Sequence, residues 1–200
     1  MKNYRNRIAD DILKRKLEGK GAVVIEGPKW CGKTTTAEQI AKSVLYMDDP
    51  SNKAQNITIS ETNPKQLLRG KTPRLIDEWQ IAPKLWDTIR FEVDHRGELG
   101  QFVLTGSAVP ADTHEITHSG TGRFTWLMMR PMSLYESGES NGTVSLKEMF
   151  EGKDEIEGYA DLTFERLAFV VALEVVDMRS EITLDHAIEY YTAVVHSDLN

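Results

Sequence analysis

Gly27-Pro28-Lys29-Trp30-Cys31-Gly32-Lys33-Thr34 decides the reading of this chain, because it fits the pattern G-x-x-x-x-G-K-[ST] at every required place. Each fixed position answers a chemical need. The glycines let the backbone curl so that successive N–H groups converge on phosphate oxygens. A helix that begins near Lys33 adds the positive end of its dipole. Lys33 has the reach for the β- and γ-phosphates, the Thr34 hydroxyl is a ligand for Mg²⁺, and Thr35 continues the cradle. Pro28, Lys29, Trp30 and Cys31 fill its variable positions. The neighbouring sequence agrees. Residues 22–25 (AVVI) form a short apolar strand before the loop, and Ala37, Ile40 and Ala41 recur at helical spacing after it.

Working outward, the same alternation continues. Tyr4, Ile8 and Ile12, with Leu13 and Leu17, predict an amphipathic first helix that Gly19 and Gly21 end. A second strand over 44–47 stops at the turn signal Asp48-Asp49-Pro50. Residues 51–70 are polar and carry one short helix at 64–69. A third strand covers 74–78, a helix 83–96, a fourth strand 101–105 and a fifth 123–129, with a Gly-rich loop over 106–122. Strands alternating with helices make an α/β fold: a P-loop NTPase three-layer sandwich with a five-stranded, mainly parallel sheet and helices on both faces. That core spans residues 1–131, and 132–200 form a small helical C-terminal segment. In the latter, Ser133…Glu136 and Ser145…Glu148 read as capping boxes, and 163–176 and 184–195 as two longer helices.

Leu75-Ile76-Asp77-Glu78 is an apolar run that ends in two carboxylates. The C-terminal edge of a parallel sheet is where ligands bind, so both acids belong beside the phosphate loop. Adjacent strand residues face opposite ways, which suggests a division of labour. Asp77 serves Mg²⁺, and Glu78 orients and deprotonates an attacking water. The plainer alternative is that the pair caps the next helix. At the end of the fourth strand, Thr105 or Ser107 offers a hydroxyl to the γ-phosphate or the water, and the sequence does not choose between them. Arg123 follows the flexible run Gly120-Thr121-Gly122 and is suited to charge on a transferring phosphoryl group, in cis or from a neighbouring subunit. Cys31, near Lys33 and a helix N-terminus, is either a packing residue or a thiol with a lowered pKa that nucleotide would shield from alkylation.

One strand, 44–47, lies in sequence between the loop strand and the acidic strand. That layout, with Glu directly after the metal Asp, resembles the additional-strand, catalytic-glutamate group of P-loop ATPases. The guanine-reading Asn-Lys-x-Asp is missing, since Asn52-Lys53 runs into Ala54-Gln55, so ATP is the expected nucleotide.

Composition narrows the partners. With 31 acidic against 24 basic residues and a net charge of −7, the chain lacks the surplus of cations that non-specific nucleic-acid binding needs. One cysteine excludes an internal disulfide and fits a reducing, cytoplasmic setting. The apolar runs 22–25 and 167–173 are far short of the ~20 residues that cross a bilayer, so no membrane partner is expected.

Five motifs in order, 26–36 (EGPKWCGKTTT), 73–80 (PRLIDEWQ), 102–108 (FVLTGSA), 119–123 (SGTGR) and 130–136 (RPMSLYE), resemble a family of bacterial and archaeal AAA-type ATPases. In that family an N-terminal ATPase module precedes a C-terminal domain of unknown function. The resemblance covers about residues 4–150. It implies ATP binding and slow ATPase activity with Lys33, Thr34, Asp77 and Glu78 in the roles above, and a role for Thr105 or Ser107 and for Arg123; a protein partner or self-association through Arg123 is a further expectation. Family members carry a Gly-Gly-aromatic-Pro element further on. Here 172–179 read ALEVVDMR, so the chain reads as a truncated or divergent copy. The competing expectations are a small-molecule or nucleotide kinase, which needs an acceptor site and an arginine-rich lid, and a non-catalytic ATP-binding module.

Overall fold

The computed structural model describes residues 4–106 and 120–152. Within them the elements run α1 (Ile8–Gly19), β1 (Ala22–Glu26), α2 (Lys33–Glu38), β2 (Ser43–Tyr46), α3 (Lys53–Thr62), β3 (Arg74–Asp77), α4 (Leu85–Arg96), β4 (Phe102–Thr105), β5 (Phe124–Met128), α5 (Leu134–Ser137) and α6 (Leu146–Phe150). Two short 3₁₀ turns, Pro64–Gln66 and Trp79–Ile81, precede β3 and α4. Arg7–Arg130 form one compact unit and Pro131–Asn200 belong with Met1–Asn6 to another.

The sheet order is β2-β3-β4-β1-β5, and every pair is parallel. β4 therefore lies between the loop strand β1 and the acidic strand β3, the layout that an additional strand produces. Strand residues alternate between two cores. Ala22, Val24, Ile76, Phe102 and Leu104 pack with Leu85, Trp86, Ile89 and Val93 of α4. Val23, Ile25, Leu75 and Val103 pack with Leu13 and Leu17 of α1 and Ala37 of α2. A sheet whose two faces are both apolar must be covered on both sides, and this one is.

Two expectations need correction. The helix after the phosphate loop ends at Glu38 rather than running on through Ile40 and Ala41. Its run of three threonines, 34–36, is β-branched and holds a helix weakly. Beyond it Ile40 and Ala41 form turns on Ala37 instead of a full ladder. The stretch 51–70 contains a ten-residue helix, α3, that the sequence hid. Its buried residues are Asn56 and Ser60, so it has no apolar stripe. Polar bonds anchor it instead: the Asn56 side chain donates to the Tyr46 carbonyl at 3.3 Å, and the Asp49 carboxylate takes the Ser51 N–H at 3.0 Å and the Asn52 amide at 2.8 Å just ahead of it.

In the other unit, Ser133 caps α5 with the expected reciprocal box, and Ser145 caps α6 by accepting from the Glu148 N–H at 3.4 Å. The Arg5 guanidinium donates to the Ser137 carbonyl. The helices expected at 163–176 and 184–195 lie outside the described residues.

Candidate active site

The parallel register brings the chemistry to one edge. Tyr46, Asp77 and Thr105 are aligned across β2, β3 and β4, and Ile25 of β1 pairs with Thr105. The phosphate loop leaves β1 two residues later. Gly27 has φ 151° and Gly32 φ 89°, so both use backbone freedom that a side chain would restrict. At Gly27 a Cβ would also meet the Met129 carbonyl at 2.1 Å. Trp30, with φ 64°, holds a left-handed conformation that costs a bulky residue energy, and its ring is 65% exposed at the loop apex.

Lys33 folds back over the loop. Its Nζ donates to the Gly27 carbonyl at 2.9 Å and the Pro28 carbonyl at 2.6 Å. The side chain is buried, and no carboxylate pairs with it among the described residues. A buried cation without a counter-charge is costly, and an anion in the cradle would relieve that cost.

Thr34 and Asp77 meet directly: the Thr34 Oγ1 donates to Asp77 Oδ1 at 2.7 Å. Thr105, fully buried, donates to the same oxygen at 2.5 Å. Burial pushes the Asp77 carboxyl above its ordinary range, the hydroxyls of Thr105 and Thr34 oppose that, and Glu78 and Asp48 add repulsion. A hydroxyl and a carboxylate side by side suit a hard cation such as Mg²⁺, which takes few protein ligands and shares the phosphates of its substrate. Among the described residues there is no cluster of three or more His, Cys, Asp or Glu that could hold a metal alone.

Glu78 does not face away from Asp77 as a continuing strand would dictate. β3 ends at Asp77, and Glu78 turns into a left-handed conformation, φ 53° and ψ 44°, that opens the following 3₁₀ turn. Its carboxylate accepts from the Gln80 side-chain amide. Gln80 is a residue the motifs did not single out. Its Oε1 is buried without a partner among the described residues, and it packs so closely on Gly106 that a Cβ there would lie 2.1 Å away.

Other candidates are placed elsewhere. Cys31 is 1% exposed, inside the core with Leu13 and Ala37, and its Sγ lies 3.7 Å from the Met129 carbonyl. A thiol buried in this way is a packing residue, the first of the two alternatives for Cys31, and is not placed for rapid, nucleotide-sensitive alkylation. Arg123 sits just before β5, whose first residue pairs with Ala22 at the opposite end of β1 from the loop. Five strand residues separate that end from the phosphate edge, about 16 Å. This is more than an arginine side chain spans, so a role in cis is ruled out by position. Arg123 instead donates to Asp94 Oδ1 at 2.6 Å on an exposed face, and that bond holds the Asp94 carboxyl down. Arg74, at the same far edge, is bonded to the Leu67 carbonyl at 2.9 Å and Ser43 Oγ at 3.0 Å. Ser107 lies outside the described residues.

These features set a glycine-bounded loop carrying Lys33 and Thr34 on the C-terminal edge of a parallel α/β sheet. The model of the AAA-domain family matches residues 19–138, and the chain belongs to that family of nucleotide-binding, ATPase-like domains. Uncharacterized proteins of Mycobacterium bovis and Mycobacterium tuberculosis are each 28% identical to it over 138 residues, 64% of this chain and 29% of the relative. The chain thus spans less than a third of the curated relatives that it matches. Among solved structures, AMPPCP-bound DnaA from Aquifex aeolicus is 12% identical with a TM-score of 0.49, covering 97% of this chain and 63% of that one. PCH-2 of C. elegans is 11% identical with a TM-score of 0.39, covering 90% and 55%. Both likenesses are too loose to inform on ligand or assembly. No helix among the described residues is long and apolar enough to cross a membrane.

Proposed function

We propose that this chain hydrolyses ATP to ADP and phosphate with Mg²⁺, as a cytoplasmic switch or motor module. The observation that carries the reading is the 2.7 Å bond between Thr34 and Asp77, which joins the phosphate loop to the acidic strand. Backbone amides from Gly27 to Thr35 would cradle the polyphosphate, and Lys33 would exchange its loop carbonyls for phosphate oxygens. Thr34 and Asp77 would hold Mg²⁺, which when bound neutralises charge on the β- and γ-phosphates. Thr105 fixes the orientation of the Asp77 carboxylate from the next strand. Glu78 takes the proton of the attacking water, and the Gln80 amide aims its carboxylate. Because Arg123 cannot reach this edge within its own chain, it would serve the site of a neighbouring copy, a contribution of about 10³–10⁵ in rate where it has been supplied in trans.

The test compares wild type, Lys33→Ala and Glu78→Gln for melting temperature and phosphate release. Mg²⁺–ATP at ~100 times its dissociation constant adds about 2.7 kcal/mol to a binding protein. Lys33→Ala should lose most of that shift. Glu78→Gln should keep it and lose turnover, and full turnover in Glu78→Gln would remove the assigned base.

A further inference from the structure

Arg7 is outside every motif quoted above, yet its side chain is 6% exposed and reaches the back of the phosphate loop. Its Nη1 donates to the Cys31 carbonyl at 3.0 Å, and its Nη2 to the Arg130 carbonyl at 2.8 Å. Its own backbone N–H is tied to Asp10 Oδ2 at 2.8 Å, which fixes it at the start of α1. Two more contacts join the loop to the same segment after β5: the approach of Gly27 to the Met129 carbonyl and the Cys31 thiol beside it.

We propose that Arg7 is a positioning residue that shapes the phosphate cradle from behind, an inference that rests on the nucleotide reading above. The argument is one of peptide geometry. In a trans peptide the carbonyl of one residue and the N–H of the next point in opposite directions. The Cys31–Gly32 bond is trans, and its carbonyl is held in a buried bond by the guanidinium. The Gly32 N–H is thereby turned the other way, into the cradle. Gly32, at φ 89°, has no side chain to hold that peptide plane, and Trp30 ahead of it is already in a strained conformation. An external anchor is what such a peptide needs, and a planar guanidinium holds two donor nitrogens in a fixed fork, one for each of two separate carbonyls.

The experiment uses the full chain with Arg7→Met, which keeps the stem and loses the donors, and Arg7→Lys, which keeps the charge. Mg²⁺–ADP affinity is measured by calorimetry, together with the rise in melting temperature on adding Mg²⁺–ADP. Arg7→Met should bind Mg²⁺–ADP about tenfold or more weakly. Its nucleotide-induced melting shift should shrink accordingly, and Arg7→Lys should fall between the two. A purely structural arginine would lower the melting temperature without changing affinity. Folded Arg7→Met with wild-type affinity overturns the proposal. If Arg7→Met does not fold, Arg7→Lys decides: wild-type affinity overturns it, and a several-fold loss supports it. Wild type that binds no Mg²⁺–ADP would instead remove the nucleotide reading itself.

Discussion

Asp77→Asn exchanges a carboxylate for an amide of the same shape at the point where α2, β3 and β4 meet. The wild-type carboxylate is buried, both hydroxyl bonds fall on its Oδ1, and Glu78 and Asp48 repel it. Burial acts against its charge more strongly than the two hydroxyls support it, which is why the group is pushed above its ordinary range. The amide oxygen can accept the same two hydroxyls, and the charge disappears. Relief of this kind at a functional position is worth about 1–2 kcal/mol, a rise of roughly 3–8 °C in Tm for a unit of this size. The order should reverse when Mg²⁺ and ATP are added. Wild type then gains about 2.7 kcal/mol at ~100 times its dissociation constant, while the variant, with one oxygen ligand lost, keeps only the Mg²⁺-independent part. Thermal melts at neutral pH, in EDTA and then with Mg²⁺–ATP, give both readings on one sample. An Asp77→Asn protein less stable than wild type in EDTA would show that the carboxylate stabilises the fold, and the reasoning would fail.

Gly27→Ala should destabilise the chain by about 2–4 kcal/mol, because the new Cβ falls 2.1 Å from a backbone carbonyl that cannot move freely; a chemical melt within 0.5 kcal/mol of wild type, the scatter of about that size seen at tolerant surface sites, would contradict it. Thr105→Val keeps the volume of a buried side chain but removes a donor from Asp77, so phosphate release should fall by about tenfold or more, and unchanged release would assign Thr105 to packing alone. Arg123→Ala breaks an exposed ion pair with Asp94 and an exposed bond to the Thr121 carbonyl, so the melting temperature should hold while the specific activity of wild type, but not of the variant, rises with protein concentration. Tyr46 supplies the pH test. Its bond to Glu38 lifts the hydroxyl to about 12 from 10.0. Between those values the folded chain keeps a proton that the unfolded chain has lost, so the bond's contribution is full below pH 10 and is lost as pH rises through 12. The deficit of Tyr46→Phe in urea melts, a few tenths of a kcal/mol for so exposed a bond, should therefore close across that window.

The strands were legible because β1, β3 and β4 are buried on both faces and carry consecutive apolar residues, four in β1, three in β4 and two in β3. The phosphate loop was legible because its glycines and lysine have no cheaper substitute. What stayed hidden follows the same logic in reverse. α3 buries Asn56 and Ser60, so no hydrophobic period announces it. Glu78 was assigned the geometry of a strand, but a left-handed turn sets its direction, and no residue type at that position signals such a turn. Arg7 acts on a carbonyl 24 residues away, a distance across which sequence spacing says nothing. Arg123 was recognised by its residue type, yet only the pairing of Ala22 with Phe124 reveals which end of the sheet it occupies.

Pairing of Asp77 with Thr105 also sets which mutations this lineage can absorb. Deleting one residue inside β3 would swing the carboxylate, and inside β4 the hydroxyl, to the reverse side of the sheet and break the proposed metal position in one step. Lengthening the connection between β2 and β3 would leave that oxygen untouched. Gene copies that retain the site should therefore differ freely in connection length while their strands stay free of insertions and deletions.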